Sequence, residues 1–453
     1  MSVRYAGIFL LTVAVGCSPP HVDPTGDGGI PLPPSGATPP LAGATMVPTG
    51  ASDIASGLSL ELKVDANGDP LVAWQSAANS EIWSAQRTSS GWAAAALVGT
   101  DAACSGFDMS IDADGNATVW SCDYFSEPTS VHQLWRAPAG GSWAALAAAT
   151  GGRVIPGPHG AILHLSTQLV KNMDNSQTVN VLGSQFAAAS GWSASSVIGT
   201  FSSQPYDSAE GKVLGGGILA DGSALATWSQ SIIPSSGGQI MEQLEYATRP
   251  AAGSWSTPTV VNYANVSSIS TYDNLFTDGV GDAIWLATAV ATSSPIHMQS
   301  ITFANGAWSP MQTFAFDSDV LQDYSATVGS DGTVSVVSTS LHGWYVESAT
   351  TQSPWQRTDT DAQDKRYLSV DSPKLAADGQ GGIVVGWINV ANFTNPHIFC
   401  ARYSTASGWS APHMVDGDDN PGLAGAWALG TNDAGAAFVA WVKNGALWAA
   451  PIP

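Results

Sequence analysis

The sequence predicts an all-β ring, a single β-propeller of eight four-stranded blades, on three observations. Two tryptophan-bearing elements alternate along the chain after residue 43. The segments between them have the two-residue period of strands and are separated by turn residues. No stretch of useful length has the 3.6-residue period of an amphipathic helix.

The first element is an Asp/Asn-Gly turn followed by a short apolar run. It precedes Trp74, Trp120, Trp228, Trp285, Trp387 and Trp441, with degenerate copies over Gly160 to Leu165 and Asp331 to Val337. The second is a small or turn residue pair followed by Trp, at Trp92, Trp143, Trp192, Trp255, Trp308, Trp355 and Trp409. In the first unit, Leu58 to Val64, Pro70 to Gln75, Glu81 to Gln86 and Trp92 to Val98 read as four strands. Asp-Gly and Ser-Gly junctions between them are hairpin signals, because such turns need positive φ. Four short strands per unit, with Trp at fixed places, is the signature of propeller blades. Because the third and sixth units are degenerate, seven blades is the alternative count. The last unit has no fourth strand after Trp448, and the segment Ala44 to Pro48 is strand-like without a local partner. That segment is expected to supply the missing outer strand and close the ring, removing open edges that invite aggregation.

Composition agrees with a folded body and excludes some partners. Of 453 residues, 44% are apolar and only 11% charged, with 48 Gly, 27 Pro and 18 Trp. Fourteen Lys and Arg against 36 Asp and Glu give a net charge of −22. Nucleic acid is excluded as a partner, since its binding depends on cations that neutralise phosphates.

Residues 1–16 read as a signal peptide: Arg4 is the only charge, and the apolar run Ala6 to Val15 is too short to span a bilayer. The tetrad Ala14-Val15-Gly16-Cys17 resembles the lipobox of bacterial lipoproteins. That resemblance implies lipidation at Cys17 and a membrane partner reached through the lipid, in the cell envelope and at its outer membrane. Residues 17–43, rich in Pro and Gly, read as an extended tether. Residues 44–453 form the propeller domain.

The repeat consensus is an Asp-x-x-Gly turn, an apolar strand ending in Trp, and Ser-Gly-Trp. It resembles repeats of the sialidase-like (BNR-type) superfamily. The resemblance implies architecture rather than activity. No unit has a clean Asp box, and Arg87, Arg136, Arg249 and Arg402 occupy one repeat position instead of forming the arginine triad of sialidases.

Candidate sites follow from chemistry and placement. Asp65-Ala66-Asn67-Gly68-Asp69 and Asp112-Ala113-Asp114-Gly115-Asn116 imitate the start of a calcium loop but lack its later ligands, so they read as hairpin turns. Asp416, Asp418 and Asp419 are weak metal candidates, and no cofactor is expected. Cys104 and Cys122 are placed for a disulfide across one hairpin, while Cys400 reads as a buried thiol. Connections from second to third strand and between blades share one face and are long, as over Val170 to Gln177, Ile232 to Gln239 and Thr200 to Lys212. On that face stand Tyr206-Asp207, Tyr272-Asp273, Asp323-Tyr324 and Arg366-Tyr367. A ring beside a carboxylate suits a sugar, covering its C–H face while accepting hydroxyl protons. The expected role is a surface-anchored, non-catalytic binder of a glycan or protein. A polysaccharide lyase or glycosidase using the same face, and a structural module of an envelope assembly, are the alternatives.

Overall fold

The computed structural model describes residues 41–49, 59–76, 80–101, 106–123, 130–146, 151–236, 241–261, 274–277, 283–289, 297–304, 307–310, 312–314, 323–329, 331–340, 343–350, 353–358, 373–389, 397–417 and 426–453. They form eight antiparallel sheets. Blades one to seven span residues 60–100, 106–146, 153–202, 208–261, 274–314, 323–358 and 374–414, and blade eight residues 427–451. Within blades one to seven the strands run in chain order from the innermost outward, and in blade eight the N-terminal strand Thr45–Met46 is outermost. Around the ring, the first strand of a blade packs on that of the next, as at blades seven, eight and one. The one helical turn among the described residues is the 3-10 segment Pro158–Gly160.

The Asp-Gly elements form the first hairpin of each blade, and their side chains are occupied there. Asp65 Oδ1 accepts the N–H groups of Asn67 (2.9 Å) and Asp69 (2.8 Å). Asp112 Oδ1 does the same for Asp114 and Asn116, and Asp378 Oδ1 for Gln380 and Gly382. Each turn needs Gly at its fourth place because φ there is positive, +86° at Gly68 and +79° at Gly115. Backbone capping therefore uses the carboxylates that imitate a calcium loop. No group of three or more metal-ligating side chains occurs among the described residues.

Apolar clusters lie between blades rather than at the centre of the ring. Leu60, Leu62, Trp74, Ala428, Phe438 and Leu447 join blades one and eight, and Leu163, Leu165, Val213 and Trp228 join blades three and four. Tryptophans of the second element also reach across: Trp143 Nε1 donates to Ser84 Oγ (2.8 Å), Trp355 to Ser300 (2.7 Å) and Trp92 to Thr45 (3.0 Å). Glycines make room for rings of the next blade. A Cβ on Gly199 would stand 2.6 Å from Trp228, one on Gly386 2.6 Å from Trp427, and one on Gly99 2.1 Å from Trp135.

In blades one, three, five and seven the expected fourth strand is interrupted. Gly91–Trp92 pairs with the end of the third strand, the chain leaves the ladder, and pairing resumes at Ala96–Thr100. One expected long loop, Val170 to Gln177, is instead an extended hairpin, whereas Ile232 to Gln239 remains a connection between strands. In blade three, Ile162–Lys171 pairs with Gln177–Ala187 through a short turn, and in blade four the second strand continues to Ile233. The connection from blade three to four is only residues 203–207.

The ring closes as expected. Thr45 and Met46 pair with Ala449 and Trp448, and Val47 N–H donates to Leu447 O at 2.8 Å. Val47 is buried in the cluster between blades eight and one. Cys122 is buried with its Sγ 3.6 Å from Gly106 O, while Cys104 lies outside the described residues. Burial pushes the Cys400 thiol up to about 12, which makes it an inert core thiol.

Two glycine substitutions separate interblade packing from turn strain. Gly199→Val collides with Trp228 and is expected to cost about 1–3 kcal/mol, the range for overpacking a core. Gly91→Ala has open space around it and meets only the penalty of its φ of +111°. Thermal unfolding should show the larger loss of Tm for Gly199→Val; an equal loss for both would refute the packing account.

Candidate functional site

The long-loop face is built highest at blades three and four, where the extended hairpins project. The turn of the blade-three hairpin is held by Asp174, whose Oδ1 accepts both Ser176 Oγ (2.7 Å) and Ser176 N–H (3.0 Å). Those two bonds hold the exposed Asp174 carboxyl below its usual range. Beside it runs the connection to blade four. Tyr206 N–H donates to Asn175 O at 3.0 Å, which ties the two turns together. Asp207 Oδ1 accepts Ser235 N–H at 2.8 Å from the next blade's hairpin.

Tyr206 is held at φ +71° with 72% of its surface exposed. A non-glycine residue in that region costs about 1–3 kcal/mol, which the surrounding structure must offset. Asn175, at φ +64°, is held in the same way. Leu169, Val170 and Met173 are exposed on the same tip. The result is an open aromatic ring on a fixed backbone turn, with carboxylates and amides nearby. Such a surface can cover the C–H face of a sugar and accept or donate hydrogen bonds at its hydroxyls.

Of the other sequence candidates, Asp323 and Tyr324 are the first two residues of the innermost strand of blade six, paired with Thr339 and Ser338. They therefore stand at the rim of the axial channel. Tyr272, Asp273, Arg366, Tyr367, Asp418, Asp419 and Cys17 lie outside the described residues. Asp416 is fully buried between blades seven and eight. Its Oδ1 is 3.4 Å from His397 Nδ1 and accepts Ile398 N–H at 3.3 Å, while its backbone oxygen takes Lys443 Nζ at 2.8 Å. Those contacts give the Asp416 carboxylate a structural role.

The four arginines of the repeat are spread around the opposite, short-turn face. Arg87, Arg136 and Arg249 lie 5.7–5.9 Å from the ring centroids of Phe438, Phe186 and Trp255, and Arg402 donates to Gly435 O at 2.7 Å. Three lie over aromatic rings and one donates to a turn carbonyl, so they do not share a carboxylate clamp.

The repeat pattern does not reveal the channel itself. The innermost strands carry Glu61, Lys63, Asp108, Arg153, Glu210, Lys212 and Lys374. In blade one, Leu60, Leu62 and Val64 are buried between blades, so the alternate residues Glu61 and Lys63 are left at the channel wall, 3.8 Å apart. Burial against that wall is the main cause that raises the Glu61 carboxyl above its ordinary value. Asp108 of blade two adds to the rise, while Lys63 and Lys374 of blade seven oppose it. One signal was available: four of the chain's 14 cations fall on first strands of repeats.

No family model matches the chain, and no curated protein matches it. Solved structures with a similar fold include prolyl oligopeptidase B from Galerina marginata, at 9% identity and TM-score 0.47, covering 84% of this chain and 55% of that one. Polysaccharide lyase Uly1 is 8% identical with TM-score 0.42, covering 76% of this chain and 88% of that one. A PL25 ulvan lyase bound to -[GlcA(1-4)Rha3S]- is 10% identical with TM-score 0.39, covering 90% and 95% respectively. The chain spans about half the length of the oligopeptidase. At these identities the likeness is one of propeller fold, and the sialidase-like resemblance rests on the repeat residues alone.

The raised Glu61 carboxyl has a measurable consequence. Its folded value lies above the ordinary 4.5, so its stabilising contribution is complete below about pH 4.5 and is lost as pH rises through the folded value. Wild type should lose Tm over that interval relative to Glu61→Gln, whose neutral amide does not titrate. Parallel Tm curves for the two proteins across that interval would contradict the placement of Glu61 at a desolvated wall.

Proposed function

We propose that this chain is a non-catalytic sugar-binding propeller, held at the bacterial cell envelope by a lipid on Cys17 and presenting its long-loop face to a glycan. The observation that carries the reading is Tyr206, an exposed ring fixed at φ +71° by a bond to Asn175 O and flanked by Asp174 and Asp207. Strain kept at a solvent-facing aromatic marks a place where geometry is held for a ligand. A tyrosine offers a large contact area with few rotatable bonds, so few rotamers are lost on binding. The placement of Tyr324 at the rim of the channel agrees with a binding surface that runs from blade-three tip to axis. Tyr272 and Tyr367 belong to the same proposed rim.

Glycan-array binding by the full-length protein tests the reading. Tyr206→Ala and Tyr324→Ala are each expected to weaken the best ligand about tenfold or more, which corresponds to about 1.4 kcal/mol. Tyr272→Ala should do the same. Normal binding by all three variants would remove the rim from consideration. Release of new reducing ends or unsaturated products from the bound glycan would show an enzyme instead.

A further inference from the structure

We propose that the inner edge of the blade-three hairpin, presented by Thr167, Leu169 and Lys171, is where two copies of this chain pair strand to strand, with their long-loop faces turned toward each other. The inference goes beyond the sugar-binding reading and does not depend on it. The edge is open because the first strand of blade three stops short. Arg153–Pro156 pairs with residues 162–165, and the second strand then continues through the six residues 166–171 with a partner on one side only, residues 177–182 of the third strand. Elsewhere among the described residues the second strand outruns the first by at most three residues, in blades five and seven. The cause is local. Gly151 and Gly152 both take positive φ, and the chain leading into Arg153 turns away to blade two, where Gly151 N–H donates to Val131 O at 2.9 Å.

The backbone of this edge points outward at alternate residues. Asn172 N–H donates to Ser176 O at 2.9 Å and closes the hairpin. Alternation from that pair directs the polar groups of Gln168 and Val170 to the third strand, and those of Thr167, Leu169 and Lys171 to the open side. A row of such groups is a template for another strand. Apolar side chains are concentrated at the same place. Of the eight large apolar side chains exposed among the described residues, Leu169, Val170 and Met173 lie on this hairpin and Tyr206 beside it. Lys171 is the only charged residue on the open edge.

This edge matches itself. Antiparallel pairing about a two-fold axis at Leu169 uses all three open residues: Leu169 faces Leu169 of the second copy, and Thr167 faces Lys171 in both directions. Each pair exchanges two backbone hydrogen bonds. Lysine meets threonine rather than lysine, so no like charges stand opposite one another. Hairpins that rise along the ring axis pair antiparallel only when they approach from opposite directions, which sets the two long-loop faces toward each other. A symmetric contact of this kind closes at two copies. Tyr206 follows the outer strand Ser196–Ser202, on the flank of the hairpin away from this edge, so the pairing does not use its ring. The net charge of −22 opposes the approach of two like bodies. Salt shortens the reach of that repulsion, so the pairing tightens as ionic strength rises.

Sedimentation velocity of the full chain, carrying Cys17→Ser so that no lipid intervenes, tests the pairing. A monomer–dimer equilibrium is expected as protein rises to about 100 μM, the range of a small interface. The dimer should be tighter at about 0.5 M than at about 0.05 M salt. Leu169→Glu and Leu169→Lys each set like charges across the two-fold axis and should weaken the dimer about tenfold or more. An equal mixture of the two should form a heterodimer, because Glu then faces Lys. Both change an exposed side chain, and a Tm equal to that of the parent shows that each is folded. A monomer at every concentration and salt overturns the proposal. A dimer that Leu169→Glu leaves at wild-type strength overturns it as well, as do two weakened variants that fail to combine.

Discussion

Everything in this molecule depends on a flat indole of one blade fitting a gap that glycine leaves in the blade before it. Eight sheets have no common centre, and each is too small to bury its own apolar faces. The contact of Trp135 on Gly99, Trp228 on Gly199 and Trp427 on Gly386 is what converts separate meanders into one body. Hydrogen bonds from Trp143 to Ser84 and from Trp355 to Ser300 set the register of that contact. An indole fills a wide, thin space and needs only one polar partner, so it suits a radial interface better than branched aliphatic side chains do. The low charge content follows, because a blade buried on both faces leaves only turns, rims and channel for ionised groups.

The two ends of the ring differ as a result. On the short-turn face, capped Asp-x-x-Gly turns and the arginines Arg87, Arg136 and Arg402 are used in holding neighbours together. His159 Nδ1 meets Asp114 at 2.7 Å there, and Asn432 donates to Asp65 O at 2.7 Å. That face is fastened in place. The other face carries the Tyr206 tip, where Asp207 ties the connection between blades three and four to the blade-four hairpin. Turn-capping contacts are thereby concentrated at one end of the strands, and a change at the other end need not disturb them.

Much of the architecture was legible because its signals are local. Gly68 and Gly115 mark turns through their φ, and the unpaired strand before residue 49 had only one place to go. The channel was not legible in that way. Glu61 and Lys374 are over 300 residues apart in sequence, and nothing local relates them until closure brings the first strands round a shared axis. The expected loop at Val170 to Gln177 misled for a different reason. Asn172, Asp174 and Ser176 are turn formers, yet the flanking residues pair and lengthen the hairpin. Turn chemistry gives the position of a reversal but not how far the strands run before it. Tyr206 was found from its neighbour Asp207, although its backbone conformation, the stronger indication, is invisible in sequence.

The closing strand has a consequence for how the chain reaches this form. Thr45 pairs with Ala449, so the last ladder joins residues separated by roughly 400 positions. Blade eight is incomplete until the final strand, Ala446–Pro451, has been made. A chain being synthesised therefore cannot close the ring at an intermediate length, and partial products retain an open edge beside blade eight. Contacts of such long range are slow to form. The ring commits late, in one step, when both its ends are present.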